Sequence, residues 1–231
     1  MTTTNNEQPA TATAKGELRY LVAEELKLAA SLLYQAYHDD QLLMSLFQAD
    51  KTDYEKRLRA AIREELAAFW EAQQPMIGVF TGDSLIGVAC LTEPGKSFGP
   101  GRYWHWRLKM LLTAGYVSTK QLVDKEGRIQ AAMQKELGSD HYHMLAFIAV
   151  NPRYQHQGWG DVLVQAAQQA LTDTPSSQGI AVFVTQPQHK QLFIQHDYQL
   201  VTQLTIGDVA GELYFCPSES ARAAVTEAAH G

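Results

Sequence analysis

The segment Asn151-Pro152-Arg153-Tyr154-Gln155-His156-Gln157-Gly158-Trp159-Gly160 lies between an apolar run that ends at Val150 and a helically spaced run that starts near Gly158. A strand, a glycine-bearing loop and a helix N-terminus in succession aim several backbone N–H groups at one point, where the positive end of the helix dipole adds to them. Such a point suits a pyrophosphate even in an acidic protein, because the donors are backbone groups. The glycines alone leave two readings open, an anion cradle or an ordinary strand-to-helix turn.

Other groups suit acid–base work. His141 and His143 stand two residues apart at the start of an apolar run, so they share one face of a strand. An imidazole titrates near neutral pH and suits removal of a proton, which makes His143 the candidate base; the alternative is a histidine hydrogen-bonded at a strand start. Two histidines without an evident third ligand do not close a zinc shell, so no metal is expected. Asp39, Asp40 and Glu93 either draw a cationic amine into a pocket or sit at a helix end and a strand end in water. Tyr103, Trp104 and Trp106 either wall an acceptor with aromatic faces or anchor their segment to a sheet.

The elements that must position these groups follow from period and composition. Of 231 residues, 45% are hydrophobic and 19% charged, enough apolar surface for a full core. The net charge of −6 argues against a partner made of phosphates, so no nucleic acid is expected. Cys90 and Cys216, each in an apolar stretch, suggest neither a disulfide framework nor a thiolate metal site, which fits a reducing cytoplasm. No run approaches the roughly 18 apolar residues of a membrane span, so no membrane partner is expected.

Residues 1–16 read as a disordered tail, 17–216 as the working domain and 217–231 as a flexible tail whose alanines would form a loose helix on docking. Within the domain, Leu18, Tyr20 and Val22 alternate as a strand, and Leu28, Leu32 and Ala36 fall on one helical face that stops near Asp40. A second helix over 53–73 carries Tyr54, Leu58, Ile62, Leu66 and Trp70 at i, i+4 spacing. Strands over 76–81 and 85–91 flank the turn Gly82-Asp83-Ser84. Segment 94–140 reads as an insertion that covers something, with helices around 107–112 and 127–137. The runs 144–150 and 179–185 look like strands buried on both faces, 188–196 a short helix, and 198–206 with 212–216 a closing pair. This order predicts an α/β domain on one sheet.

The run Ile148-Ala149-Val150 followed by Asn151 to Gly160 resembles the acetyl-CoA signature of the GNAT superfamily of N-acetyltransferases. That signature is Gln or Arg, two residues, Gly, one residue, Gly or Ala, after a strand ending Val-x-Pro; Gln155, Gly158 and Gly160 fill its slots. The element order is also the superfamily's. Asp39-Asp40 and the long segment before the fourth strand resemble, more narrowly, its puromycin N-acetyltransferase branch.

The resemblance implies a GNAT fold: a single mixed, mostly antiparallel sheet, splayed between strands 4 and 5 and flanked by helices. It implies acetyl-CoA as cosubstrate, with backbone groups of Ile148, Ala149 and Val150 along the pantetheine arm and those of Gln155, His156, Gln157, Gly158, Trp159 and Gly160 around the pyrophosphate. The acceptor it implies is a primary amine of a small molecule, attacking the thioester directly; a homodimer is also expected, since the last strands of this superfamily often pair between subunits.

One stretch departs from the pattern. Where the superfamily has Asn and, four residues on, a Tyr that protonates the leaving thiolate, this chain has His189 and Phe193. His189 and Phe193 are therefore expected to contact the cosubstrate without supplying the usual acid. Two alternatives follow: an N-acetyltransferase for protein or peptide ends, and a CoA-binding module impaired in catalysis.

Overall fold

The computed structural model describes residues 16–94 and 100–228, with side chains at 16–94 and 105–223. The expected tail over 1–16 lies, except for Gly16, outside the described residues. Seven strands form one sheet: β1 (Glu17–Tyr20), β2 (Met76–Thr81), β3 (Ser84–Thr92), β4 (His143–Val150), β5 (Gly179–Val184), β6 (Gln199–Ile206) and β7 (Val209–Pro217). Their order is β1-β2-β3-β4-β5-β7-β6, antiparallel throughout except for the parallel pair β4–β5. This is the mixed α/β sheet that the sequence predicts.

Helices cover both faces. α1 (Leu26–Tyr37) and α3 (Tyr54–Glu71) pack over β2 to β4 through Leu33, Leu58, Leu66, Val88 and Cys90, all fully buried or nearly so, and α4 (Pro100–Thr113) packs on α3. On the same side α5 (Tyr116–Leu137) lays Ile129 and Met133 on Ala181, Leu213 and Phe215. Across the sheet α6 (Trp159–Gln169) packs Leu163, Val164 and Ala167 against Val79, Ala89, Ile180 and Val182. The 94–140 insertion thus covers the far half of the sheet as expected, but its helices are longer than their apolar spacing suggested. α5 runs between Gly115 and a left-handed Gly138 cap, through a polar stretch with too few apolar residues to read as periodic.

Two further differences concern local order. Six residues after Asp40 form a helix, α2 (Gln41–Leu46), because the Asp40 carboxylate accepts the Leu43 N–H at 3.0 Å and caps its first turn. The segment from 217, expected as a flexible tail, completes β7 and enters α8 (Glu219–Ala228). Arg222 holds that helix, donating to the Pro217 carbonyl at 3.2 Å and to the Cys216 sulfur at 3.3 Å.

Candidate active site

β4 and β5 pair only at His143↔Ile180 and Met144↔Ala181, and then part. At the same level β4 carries a bulge: Cys90 faces Phe147 and Leu91 faces Leu145, leaving Ala146 unopposed. A bulge adds one residue to one strand, bends it and increases its twist, which explains why β4 leaves its neighbour here. The backbone beyond it, from Phe147 to Val150, borders an open wedge.

The loop at the end of β4 is held by its own backbone. The Asn151 N–H continues the β3 pairing by donating to the Ile86 carbonyl at 2.8 Å, and the Asn151 side chain accepts the Arg153 N–H at 3.0 Å. His156 and Gly158 then take positive φ, 60° and 83°, which turns the chain so that Gly158 caps α6. Nothing lies within 4 Å of the position a Cβ would take on Gly158. The loop residues Gln155, His156, Gln157 and Gly158 are exposed, and the first-turn N–H groups of α6 have no intrahelical acceptors. This open cradle of donors fits a diphosphate, with Arg153 exposed beside it. Trp159 is half-buried against the α6 core, and a Cβ on Gly160 would touch Leu192 at 3.4 Å.

The edge of β4 that the resemblance assigns to a pantetheine arm is not bare. The Tyr37 hydroxyl, at the end of α1, accepts the Ile148 N–H at 3.2 Å and donates to the Ile148 carbonyl at 3.0 Å. The Gln155 amide donates to the Val150 carbonyl at 3.3 Å. The Ala149 side chain points into the α1 core, whereas those of Ile148 and Val150 pack toward α6. Burial drives the Tyr37 phenol well above the usual range, so it stays protonated. The ring also meets Phe147 edge-on, centroids 5.8 Å apart.

Below Tyr37 opens a cavity of about 490 Å³, bounded by α1, α2, α3, α5 and the bulged part of β4. Its wall is mostly apolar, with Phe47, Ile62, Phe69 and Phe183, and Glu65 and Glu126 also border it. Glu65 is pushed up to about 8, by enclosure first and then by the Glu126 carboxylate, with Lys125 opposing. Glu126, whose side chain is exposed, is also raised, by loss of surrounding water and again against Lys125. Neither carboxylate was legible as a site residue.

The expected acid–base groups fall differently. His143 is fully buried, with Nδ1 at 2.8 Å from the Ser177 hydroxyl, and it shares the face of Leu145, which packs in the α6 core. It does not border the cavity, because the bulge that turns β4 toward the cavity comes three residues later. His143, expected as the base, is thus placed in the core and outside the cavity lining; His141 is exposed before the strand. Asp40 is buried and committed: besides capping α2 it accepts from Gln186 at 3.0 Å and Thr185 at 3.4 Å, clasping α2 to the end of β5. Asp39 is exposed and paired with His38 at 2.8 Å. Glu93 borders the cavity rim.

His189 stands exposed at the start of α7 (Lys190–Ile194), its imidazole depressed by partial burial against an opposing pull from Asp40. Phe193 is buried in the α6 core, edge-on to Tyr198 with centroids 5.4 Å apart. Trp106 is buried in the α1 core, whereas Tyr103 and Trp104 lie outside the described side chains. Cys90 is buried and its thiol is pushed up to about 12, far from a thiolate at neutral pH.

The model of the acetyltransferase (GNAT) family matches residues 41–192, and the chain belongs to that family. No curated protein sequence matches significantly. Solved structures share the fold at low identity. The polyamine N-acetyltransferase of Drosophila melanogaster, which forms N-acetylagmatine, is 13% identical, with TM-score 0.65 over 88% of this chain and 100% of that one. A histone acetyltransferase HPA2 and related acetyltransferase from Corynebacterium glutamicum is 11% identical, with TM-score 0.64 over 88% and 96%. A putative arylalkylamine N-acetyltransferase from the yellow fever mosquito is 14% identical, with TM-score 0.61 over 88% of each chain. Among the described residues no helix is long and apolar enough to cross a membrane, and no group of three or more His, Cys, Asp or Glu is placed to hold a metal ion.

Proposed function

We propose that the protein is an acetyl-CoA-dependent N-acetyltransferase whose acceptor is a small molecule carrying a primary amine. The observation that carries this reading is the partly covered cavity lined by the acidic side chains of Asp40, Glu65, Glu93, Glu126 and Asp140, opening onto the β4 edge at the bulge. The Gly158 cradle and the first turn of α6 suit the pyrophosphate, as family membership leads one to expect. Bound acetyl-CoA supplies an activated acetyl thioester.

The chain's own residues do the rest. An apolar wall excludes water and favours the uncharged, nucleophilic amine, while the acidic side chains of Glu93 and Asp140 on the same lining draw the ammonium form in. A carboxyl raised to about 8 is a stronger base than a free one and accepts the ammonium proton in its ionised form, which grows above neutral pH, so Glu65 is the candidate base in this reading. Cys90, held as a thiol in the core, does not suit an acyl-enzyme route, which favours direct attack. Structural neighbours that act on agmatine and on arylalkylamines support an amine acceptor in general terms.

α2 and α5 wall the cavity on two sides and deepen it, which favours a small molecule over a peptide end. The domain over 17–216 works as one unit in this reading, and the expected homodimer would form along an outer sheet edge such as β6. The test is a panel of aliphatic diamines, arylalkylamines and peptides with acetyl-CoA, read as release of free thiol. Steady, amine-dependent release with small amines supports the proposal, and release with peptides alone or with no acceptor contradicts it.

A further inference from the structure

Phe193 leaves the position of the usual thiolate acid without a proton, and its ring is turned into the α6 core. A different phenol occupies the wedge. Tyr37 arrives from α1, on the opposite face of the sheet, and its oxygen bridges both peptide groups of Ile148 on the free edge of β4. We propose that Tyr37 is a catalytic residue, and that its hydroxyl supplies the proton that the departing thiolate requires. This rests on the acetyltransferase reading above.

Three features support the assignment. First, the bond from the Ile148 N–H opposes the burial that raises the phenol, and the same N–H stabilises the phenolate left behind. Second, the proton now given to the Ile148 carbonyl is held by a single bond along the strand edge, so a sulfur arriving there competes for it directly. Third, Tyr37 lines the acceptor cavity while its oxygen meets the Ile148 backbone, so one residue joins the two.

The step balances. The amine nitrogen attacks the acetyl carbon, a C–N bond forms and the C–S bond breaks with its electron pair on sulfur. The Tyr37 O–H proton passes to that sulfur, giving the free thiol. The proton lost by the amine nitrogen then returns to the phenolate, by way of the carboxyls in the cavity or water, and restores Tyr37. No oxidant or further reactant is needed.

Tyr37→Phe keeps the ring against Phe147 and removes only the oxygen. The test joins three readouts on the full-length protein: acetyl-CoA affinity by calorimetry, kcat with the best amine, and the backbone amide resonance of Ile148. General-acid help is typically worth about 10²- to 10⁴-fold, so kcat should fall by roughly 10²-fold or more while acetyl-CoA affinity stays within about threefold. The Ile148 amide should shift on removing the oxygen, and shift in the parent when acetyl-CoA is added. Parent-like turnover in Tyr37→Phe, a loss of affinity matching the loss of rate, or an Ile148 amide indifferent to acetyl-CoA overturns the assignment. A parent that binds acetyl-CoA yet acetylates no amine refutes the transferase reading and the acid role together; transfer at equal rate by parent and variant refutes the acid role alone.

Discussion

Gly158→Ala separates the two jobs of the loop, holding its own shape and holding a diphosphate. Gly158 sits at φ 83° with no atom within 4 Å of a Cβ, so the added methyl meets no protein and its cost is conformational alone. Placing an L-residue in the left-handed region costs roughly 1–2 kcal/mol. For a domain of about this size that corresponds to a Tm lower by about 2–8 °C. The effect on acetyl-CoA should be larger, because the methyl occupies the space through which phosphate oxygens approach the N–H groups of the loop and α6. Each hydrogen bond to a charged group is worth about 1.5–3 kcal/mol, so loss of one weakens Kd about 10- to 100-fold. Gly160→Ala is the control: its Cβ makes ordinary contact with Leu192 and its φ is unstrained, so Tm should barely move. Scanning calorimetry gives the first quantity and titration calorimetry the second. A Gly158→Ala protein with lowered Tm and unchanged acetyl-CoA affinity would refute the cradle.

Further expectations concern the buried groups. Because Glu65 titrates near about 8 in the folded chain against 4.5 for a free carboxyl, the folded state holds a proton over that window that the unfolded state has lost. Stability therefore declines as pH rises from about 4.5 to about 8, with Glu126 and Lys125 setting how steeply. Glu65→Gln should remove that decline in urea midpoints, gaining most above neutral pH, and should raise KM for the amine and lower kcat; parallel stability curves would contradict it. Phe193→Tyr puts a hydroxyl into the core beside Tyr198, and should lower Tm without raising turnover; a faster enzyme would show that a phenol there does reach the sulfur. His143→Gln breaks the bond to Ser177 and should cost stability while leaving both limbs of the pH–rate profile in place. Loss of one limb would return His143 to the chemistry.

The strands and the loop were legible because their signals are local. Strands 76–81 and 85–91 show β-rich apolar runs around the turn Gly82-Asp83-Ser84, and the glycines of 158–160 mark the place where backbone must stay uncovered. The rest depended on what folds over what. The Ala146 bulge lies in a run that is apolar at every position, so no alternation exists for it to interrupt. α2 is too short to show a period, and its cap, Asp40, has the same letter as an acidic pocket residue. Glu65 lies on the charged side of the Tyr54 to Leu66 ladder and reads as a solvated face; α5, from a distant insertion, covers that face and raises its titration. Tyr37 ends an apolar helical face, and only the tertiary fold brings its oxygen to Ile148, 111 residues later.

The central claim is transfer of an acetyl group from acetyl-CoA to a small amine, and it is tested most directly without choosing the acceptor in advance. Purified protein is incubated with acetyl-labelled acetyl-CoA and a cell extract, and the products are separated by size and read by mass spectrometry. The account expects the label on one or a few small primary amines, dependent on the protein and strongly reduced in Gly158→Ala. Label found only on polypeptides, or remaining wholly on acetyl-CoA while the protein binds it, would contradict the account.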